Sequence, residues 1–299
     1  MTSVAQRPGP PRLPRSARAF VRNRLALAGL ATLTLILLAV TFAHFSPYDP
    51  DGISLRKRFE PPSLSHPFGT DDLGRDVLTR VLFGGRVSLA VGGLAMGLAI
   101  AVGTLIGGMA GYFGGWVDSL LMRPTDLFLS LPSLFVLIVL STLLIGHPLL
   151  NAFGGMLLIV VIIAVLSWMT VARIVRSSFL AIREREFVEA ARAYGARHGR
   201  LMARHILPNA IGPLLVQATL QVAVAIIAES GLSYLGFGIQ PPTATWGNML
   251  KDAQTYMTRQ PLLAVFPGLM IFLTVISVNA IGDGLRDAFD PRRSSSLGR

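Results

Sequence analysis

The chain has no cysteine, so neither a disulfide framework nor a thiolate metal site is open to it. Lysine is nearly missing too: Lys57 and Lys251 are the only two, preceded by Arg56 and Leu250. A phosphate-binding loop needs Gly-Lys-[Ser/Thr], because backbone amides and the lysine hold the phosphates jointly. Neither lysine fits, which excludes an ATPase of that type within this chain. Charged residues are scarce, at 14% of 299, where soluble domains carry roughly a quarter. The five histidines (His44, His66, His147, His198, His205) are scattered, with no HExxH or comparable ligand spacing. No GxSxG nucleophile motif occurs. The run Asp71-Asp72-Leu73-Gly74-Arg75-Asp76 loosely suggests a calcium loop, yet it lacks the EF-hand spacing and terminal glutamate. No convergent catalytic set remains, so the expectation is that the chain is not an enzyme.

What the chain has is apolar sequence, 52% of it, with a mean hydropathy of +0.58. Six runs of about 20 residues, the length a bilayer core demands, fall near 25–45, 88–110, 127–146, 153–173, 209–235 and 262–282. The fold class expected is therefore all-α and polytopic, with six transmembrane helices. The first run follows basic residues as a signal peptide does. Its apolar stretch, however, exceeds the ~7–15 residues of a signal core, so a retained anchor is expected. Residues 1–24 form an N-terminal tail whose Pro- and Arg-rich start predicts disorder.

The net charge of +11 could suggest nucleic acid, but its placement argues for topology. Arg7, Arg12, Arg15, Arg18, Arg22 and Arg24 precede the first run, eight arginines lie between Arg173 and Arg204, and four between Arg286 and Arg299. Basic residues flanking apolar spans stay cytoplasmic, so both termini are expected inside, with 46–87 external and partly amphipathic. No aromatic-studded basic groove accompanies the charge, and no nucleic-acid partner is expected.

Gly93 and Gly97 are four apart, and after a gap of six Gly103, Gly107, Gly111 and Gly115 continue that spacing, which stacks each set on one helix face open to close backbone approach. That face serves either this chain's own bundle or a second, related membrane chain. Pro132, Pro213 and Pro267 lie within spans as expected kink sites. Glu229 stands near the external end of the fifth span, where an acid is costly and faces either a cavity or a hydrogen-bonding neighbour. It is a candidate for the solute pathway. A secondary transporter would need further mid-membrane coupling residues, and Glu229 has none beside it.

The most informative stretch is the loop 174–208. Phe187, Ala190, Ala191 and Tyr194 follow i, i+3, i+4, i+7 spacing, predicting one shallow apolar helix face that another surface can approach closely. Gly195 is a natural stop, expected at positive φ, and His198–His205 reads as a second short helix ending near Pro208. Such a pair looks like a docking element; the alternative is an interfacial amphipathic helix. Glu189 either reaches the docking partner or caps its own helix.

Glu189-Ala190-Ala191, Gly195 and Leu207-Pro208 resemble the EAA motif of permeases in bacterial ATP-binding-cassette importers. Further segments resemble the peptide branch of that family: His66 through Leu78, Gly111-Tyr112-Phe113-Gly114-Gly115, Leu232 through Gly238, Pro241-Pro242, Trp246 through Leu250, and Gly282 through Asp287. The likeness covers residues 20–292 and is to the C-type permeases of dipeptide and oligopeptide importers, whose nickel-importing relatives share the pattern. It implies a type I importer fold in the bacterial cytoplasmic (inner) membrane, with a five-helix core over 88–282 and a cytoplasmic tail over 283–299. It further implies a B-type sister permease, two cytoplasmic ATPases holding ATP and magnesium, an external solute-binding protein, and no cofactor in this chain. By the same likeness, Phe187, Glu189, Ala190, Ala191, Tyr194, Gly195, Leu207 and Pro208 form the ATPase-coupling element.

Overall fold

The computed structural model describes residues 20–148, 150 and 155–289. The expected N-terminal tail up to residue 19, the C-terminal residues from 290 and the start of the fourth run lie outside them. Among the described residues the chain is helical, with a lone antiparallel bridge between Thr70 and Asp76. We label the helices α1 (Arg24–Thr41), α2 (Val77–Phe113), α3 (Gly115–Leu129), α4 (Ser133–Leu144), α5 (Met156–Arg183), α6 (Glu186–Ala193), α7 (His198–Tyr234), α8 (Trp246–Gln254) and α9 (Leu262–Phe289).

Five of the six apolar runs sit in continuous helices long and apolar enough to cross a membrane. The third does not. Instead of one helix over 127–146 kinked at Pro132, α3 and α4 meet at 97° across Ser130–Pro132. Pro132 lacks the N–H that would continue the helix, and the residue before a proline is pushed out of the helical region. Counted as one broken span, the pair makes six.

The helices outrun their apolar stretches. α2 starts at Val77 rather than 88, because Asp76 caps it by accepting from the Thr79 N–H (2.8 Å). Its first eleven residues include Arg80 and Arg86, so hydropathy alone could not see them. The segment 46–76, expected to be external and partly amphipathic, holds no amphipathic helix, only a single 3-10 turn at Leu55–Lys57. α5 likewise runs ten residues into the expected 174–208 loop, and α9 runs seven residues past 282.

The glycine ladder divides between two jobs. A Cβ at Gly103 would stand 2.7 Å from the Trp168 carbonyl, one at Gly111 2.6 Å from that of Arg176, and Gly107 abuts the Ala172 backbone. These three let α2 pack on α5 within this chain. Gly93 and Gly97 face open space instead. Gly107→Val should therefore cost about 1–3 kcal/mol by overpacking, while Gly93→Val should stay within about 0.5 kcal/mol. Thermal melts of the isolated chain in detergent decide this; equal melting temperatures would show that the α2–α5 contact does not depend on small residues.

α9 closes the bundle against α1 and α7: Gly29 abuts the Ser277 carbonyl, Gly284 abuts Ala26, and Gly282 abuts Thr219 and Leu220. Asn23 caps α1 through the amides of Leu25 and Ala26, and its Nδ2 donates to Asp287 at 3.3 Å. One apolar core joins Val91 and Ala95 of α2, Leu137 of α4, Ile159 and Ile162 of α5, and Ala225 and Leu232 of α7. A second joins Met96, Val175 and Phe179 to α6 and the start of α7. Burial of such side chains contributes about 1.5–3 kcal/mol each in water, and in lipid the same contacts act through packing rather than the hydrophobic effect.

Candidate functional site

α6 is a two-turn helix held off the bundle by one inward plug. Val188 is fully buried (0% exposed) among Tyr112, Phe179, Leu201 and Ile206. Ala191, one turn on, is half-buried against the same core. The opposite side carries Phe187 (44% exposed), Ala190 and Tyr194 (93% exposed), at i, i+3 and i+7. The expectation of a single apolar face is thus corrected: Ala191 turns toward this chain, and only Phe187, Ala190 and Tyr194 look outward. A stripe of four apolar positions cannot tell inside from outside when both sides of a helix are covered. Val188 was the missed residue, and its signal was being the one branched aliphatic side chain between residues 184 and 197.

Glu189 is exposed in the first turn of α6, where a carboxylate suits the helix dipole, and Arg185 rather than Glu189 occupies the cap position. Gly195 has φ +83°, with no neighbour within 4 Å of an added Cβ. The turn itself therefore demands glycine, not any crowding around it. The second short helix does not end near Pro208. His198 begins a continuous rod that passes through a π-helical turn at Leu201–Ile206 and runs on to Tyr234. Leu207 and Pro208 stand in the rod's next turn, where the widened π turn accommodates the missing proline N–H. Leu207 packs against the second core.

Both flanks of α6 are tied to the end of α2. Arg183 donates through Nη1 to the carbonyls of Gly111 (3.1 Å) and Tyr112 (3.2 Å), two acceptors left open at a helix C-terminus. His198 Nδ1 lies 2.7 Å from the Tyr112 hydroxyl. Beside them, Arg176 grips both carboxylate oxygens of Asp118, and Arg173 meets Asp126 at 2.5 Å, so α5 holds α3 by two ion pairs.

At the far end of the bundle, Glu229 is fully buried (0% exposed) and surrounded by hydroxyls. It accepts from Ser88 of α2 (3.0 Å) and from Ser233 (2.8 Å) and Ser230 (3.4 Å) of its own helix. Ser88 in turn accepts the Trp246 N–H at 3.2 Å, and the Trp246 indole donates to the Val81 carbonyl at 2.9 Å. Thr245 and Asn248 form a reciprocal capping box at the start of α8. The carboxylate therefore sits where α2, α7 and α8 converge, answered by hydrogen bonds rather than by a cation.

The neighbouring segment 46–76 uses acids internally. Asp71 accepts from the amides of Leu73 and Arg75 (2.9 Å each) and from Arg75 Nε (2.6 Å), and Asp76 meets His66 Nδ1 at 2.9 Å. These partners engage two of the three carboxylates that gave the run its calcium-loop look, and Asp72 lies 3.7 Å from Arg75; among the described residues no cluster of metal-ligating side chains forms. Burial pushes the Asp252 carboxyl above its ordinary value, against the opposing pull of Arg80 and Arg75.

A bundle of helices long and apolar enough to span a bilayer defines a multi-pass membrane protein. Residues 103–295 match the family described as binding-protein-dependent transport system inner membrane component, and the chain belongs to it. Residues 15–62 match the N-terminal transmembrane domain of oligopeptide transport permease C. A Brucella suis protein provisionally named a peptide permease is 46% identical over 293 residues, covering 97% of this chain and 94% of that one. The dipeptide transport system permease DppC of Alkalihalophilus pseudofirmus is 41% identical, covering 92% and 88%. The oligopeptide transport system permease OppC of Bacillus subtilis is 40% identical, covering 91% and 87%. A crystal structure of an amino acid ABC transporter with histidines shares the fold at a TM-score of 0.51 and 19% identity, over 69% of this chain and 92% of that one. The chain is a permease subunit of an ATP-binding-cassette importer in the inner membrane, not an enzyme, and its family works with ATPase and binding-protein partners.

Proposed function

We propose that the solute is a peptide and that this chain forms half of its transmembrane route, paired with a B-type sister permease. Two cytoplasmic ATPases would bind ATP and magnesium and close on α6, and an external solute-binding protein would deliver the peptide. The observation that carries the coupling role is the outward Phe187–Ala190–Tyr194 stripe, mounted on a helix that Val188 fixes to the bundle. The names of the relatives support the peptide, and the binding protein would select it. Arginines at the α6 end support a cytoplasmic placement for that end and for both termini. Orientation then puts the segment 46–76, Glu229 and α8 outside or at the external membrane face.

The test is reconstitution of the chain with its sister permease, ATPases and binding protein in proteoliposomes. ATP-dependent entry of labelled di- or oligopeptide is expected. Entry of nickel but not of peptide would overturn the peptide assignment and favour the nickel-importing branch. The purified chain alone should neither bind nor hydrolyse ATP, for want of Gly-Lys-[Ser/Thr]. Vanadate-sensitive turnover by that preparation would contradict this.

A further inference from the structure

We propose that Tyr112 is a positioning residue for energy coupling: with Arg183 and His198 it clamps both ends of α6 to the last turn of α2. The inference rests on the reading of α6 as the coupling element and adds how its movement leaves it. Arg183 precedes α6 by three residues and bonds the Gly111 and Tyr112 carbonyls; His198 opens α7 and meets the Tyr112 hydroxyl. The Tyr112 ring belongs to the same core as the Val188 plug. Thus one residue of α2 touches the chain before α6, after it and beneath it.

That residue also adjoins the elbow between α2 and α3. Gly114 and Gly115 have φ of +65° and +54°, and a Cβ at Gly114 would stand 3.0 Å from the Arg183 guanidinium. α3 leads directly into the 97° bend toward α4. A displacement of α6 by an ATPase is therefore delivered to α2 and to this elbow through three contacts rather than through the flexible loop alone. Removing the Tyr112 hydroxyl cuts one contact while leaving the ring, the plug and the outward stripe in place.

The experiment uses the assembled complex in proteoliposomes and reads solute moved per ATP hydrolysed. Tyr112→Phe should keep the ATPases bound and hydrolysing while lowering transport per ATP by about fivefold, the size of one lost hydrogen bond in a coupling equilibrium. His198→Phe should do the same, and the double variant should be no worse than either single, as for two ends of one bond. A second readout exploits the cysteine-free sequence: single cysteines placed at Arg192, exposed on α6 away from its outward stripe, and at Trp116 carry spin labels. Their separation should hold through ATP trapping in the native clamp and change in Tyr112→Phe. Wild-type stoichiometry together with an unchanged separation overturns the clamp. Ala190→Arg serves as the control on the parent reading. If it leaves the ATPases bound and coupled, α6 is not the coupling element; if it releases them while Tyr112→Phe behaves as wild type, only the clamp is lost.

Discussion

Ala190→Arg is expected to strip the ATPases from the complex, whereas Ala191→Leu is expected to weaken this chain itself. Ala190 lies between Phe187 and Tyr194 on the outward side of α6, where a small side chain lets a partner groove close over the helix. A bulky cation buried there without a partner costs about 2–5 kcal/mol, thirty-fold or more in ATPase affinity. Ala191 instead meets the core built on Val188, Leu201 and Ile206, and a leucine there overpacks it by about 1–3 kcal/mol. Co-purification of the ATPases reads the first effect, and the melting temperature of the isolated chain reads the second. Release by Ala191→Leu with an unchanged melting temperature would restore the single-face reading. Gly195→Val should add about 1–3 kcal/mol of backbone strain, because φ +83° is closed to a β-branched side chain. It should act on the turn between α6 and α7 while leaving membrane insertion intact.

Glu229→Ala should be the most damaging single change at the end of the bundle opposite α6. It leaves Ser88, Ser230 and Ser233 without their shared acceptor and opens a void where α2, α7 and α8 meet. Stranding such groups costs about 1–3 kcal/mol each when no substitute acceptor is found, and a total loss of about 2–4 kcal/mol is expected because serines in helices can turn back to their own carbonyls. The yield of folded complex after detergent extraction measures it. Glu229→Gln retains the carbonyl acceptor and should recover most of that yield. Transport then separates the two roles: impaired uptake by a well-assembled Glu229→Gln complex supports the pathway role, and normal uptake supports a structural hub. Full stability of Glu229→Ala would sink the hub.

The spans were legible because bilayer crossing leaves a signal of length and composition that needs no partner. What lay past the apolar runs was not, since Arg80 and Arg86 in α2, or Arg176 and Arg183 in α5, look identical in a loop and in a helix that has left the lipid. The break at Ser130–Pro132 was visible as a proline but not as a right-angle bend, because a proline in a span can kink or end it. In α6 the period marked apolar positions without saying which ones this chain would use for itself. The Tyr112–His198 contact joins residues 86 apart, and no local pattern announces such a pair. Glu229 was noticed for its cost in lipid; its three serine donors became apparent only when α2 and α7 were brought together.

The length of α2 has a mechanical consequence. Its 37 residues make a rod of about 55 Å, nearly twice the hydrocarbon thickness. α5 grips that rod most closely near one end, over Gly103–Gly111, and meets it again at Val91 and Ala95. With the grip as fulcrum, a tilt of about 5° at Gly107 swings Val77, thirty residues away, through about 4 Å. The short arm ends at Tyr112 beside α6 and the long arm at Val77, so the helix is a lever that trades force for displacement toward its Val77 end. If α6 couples to the ATPases as proposed, a movement of about one ångström there would be enlarged several-fold at that far end.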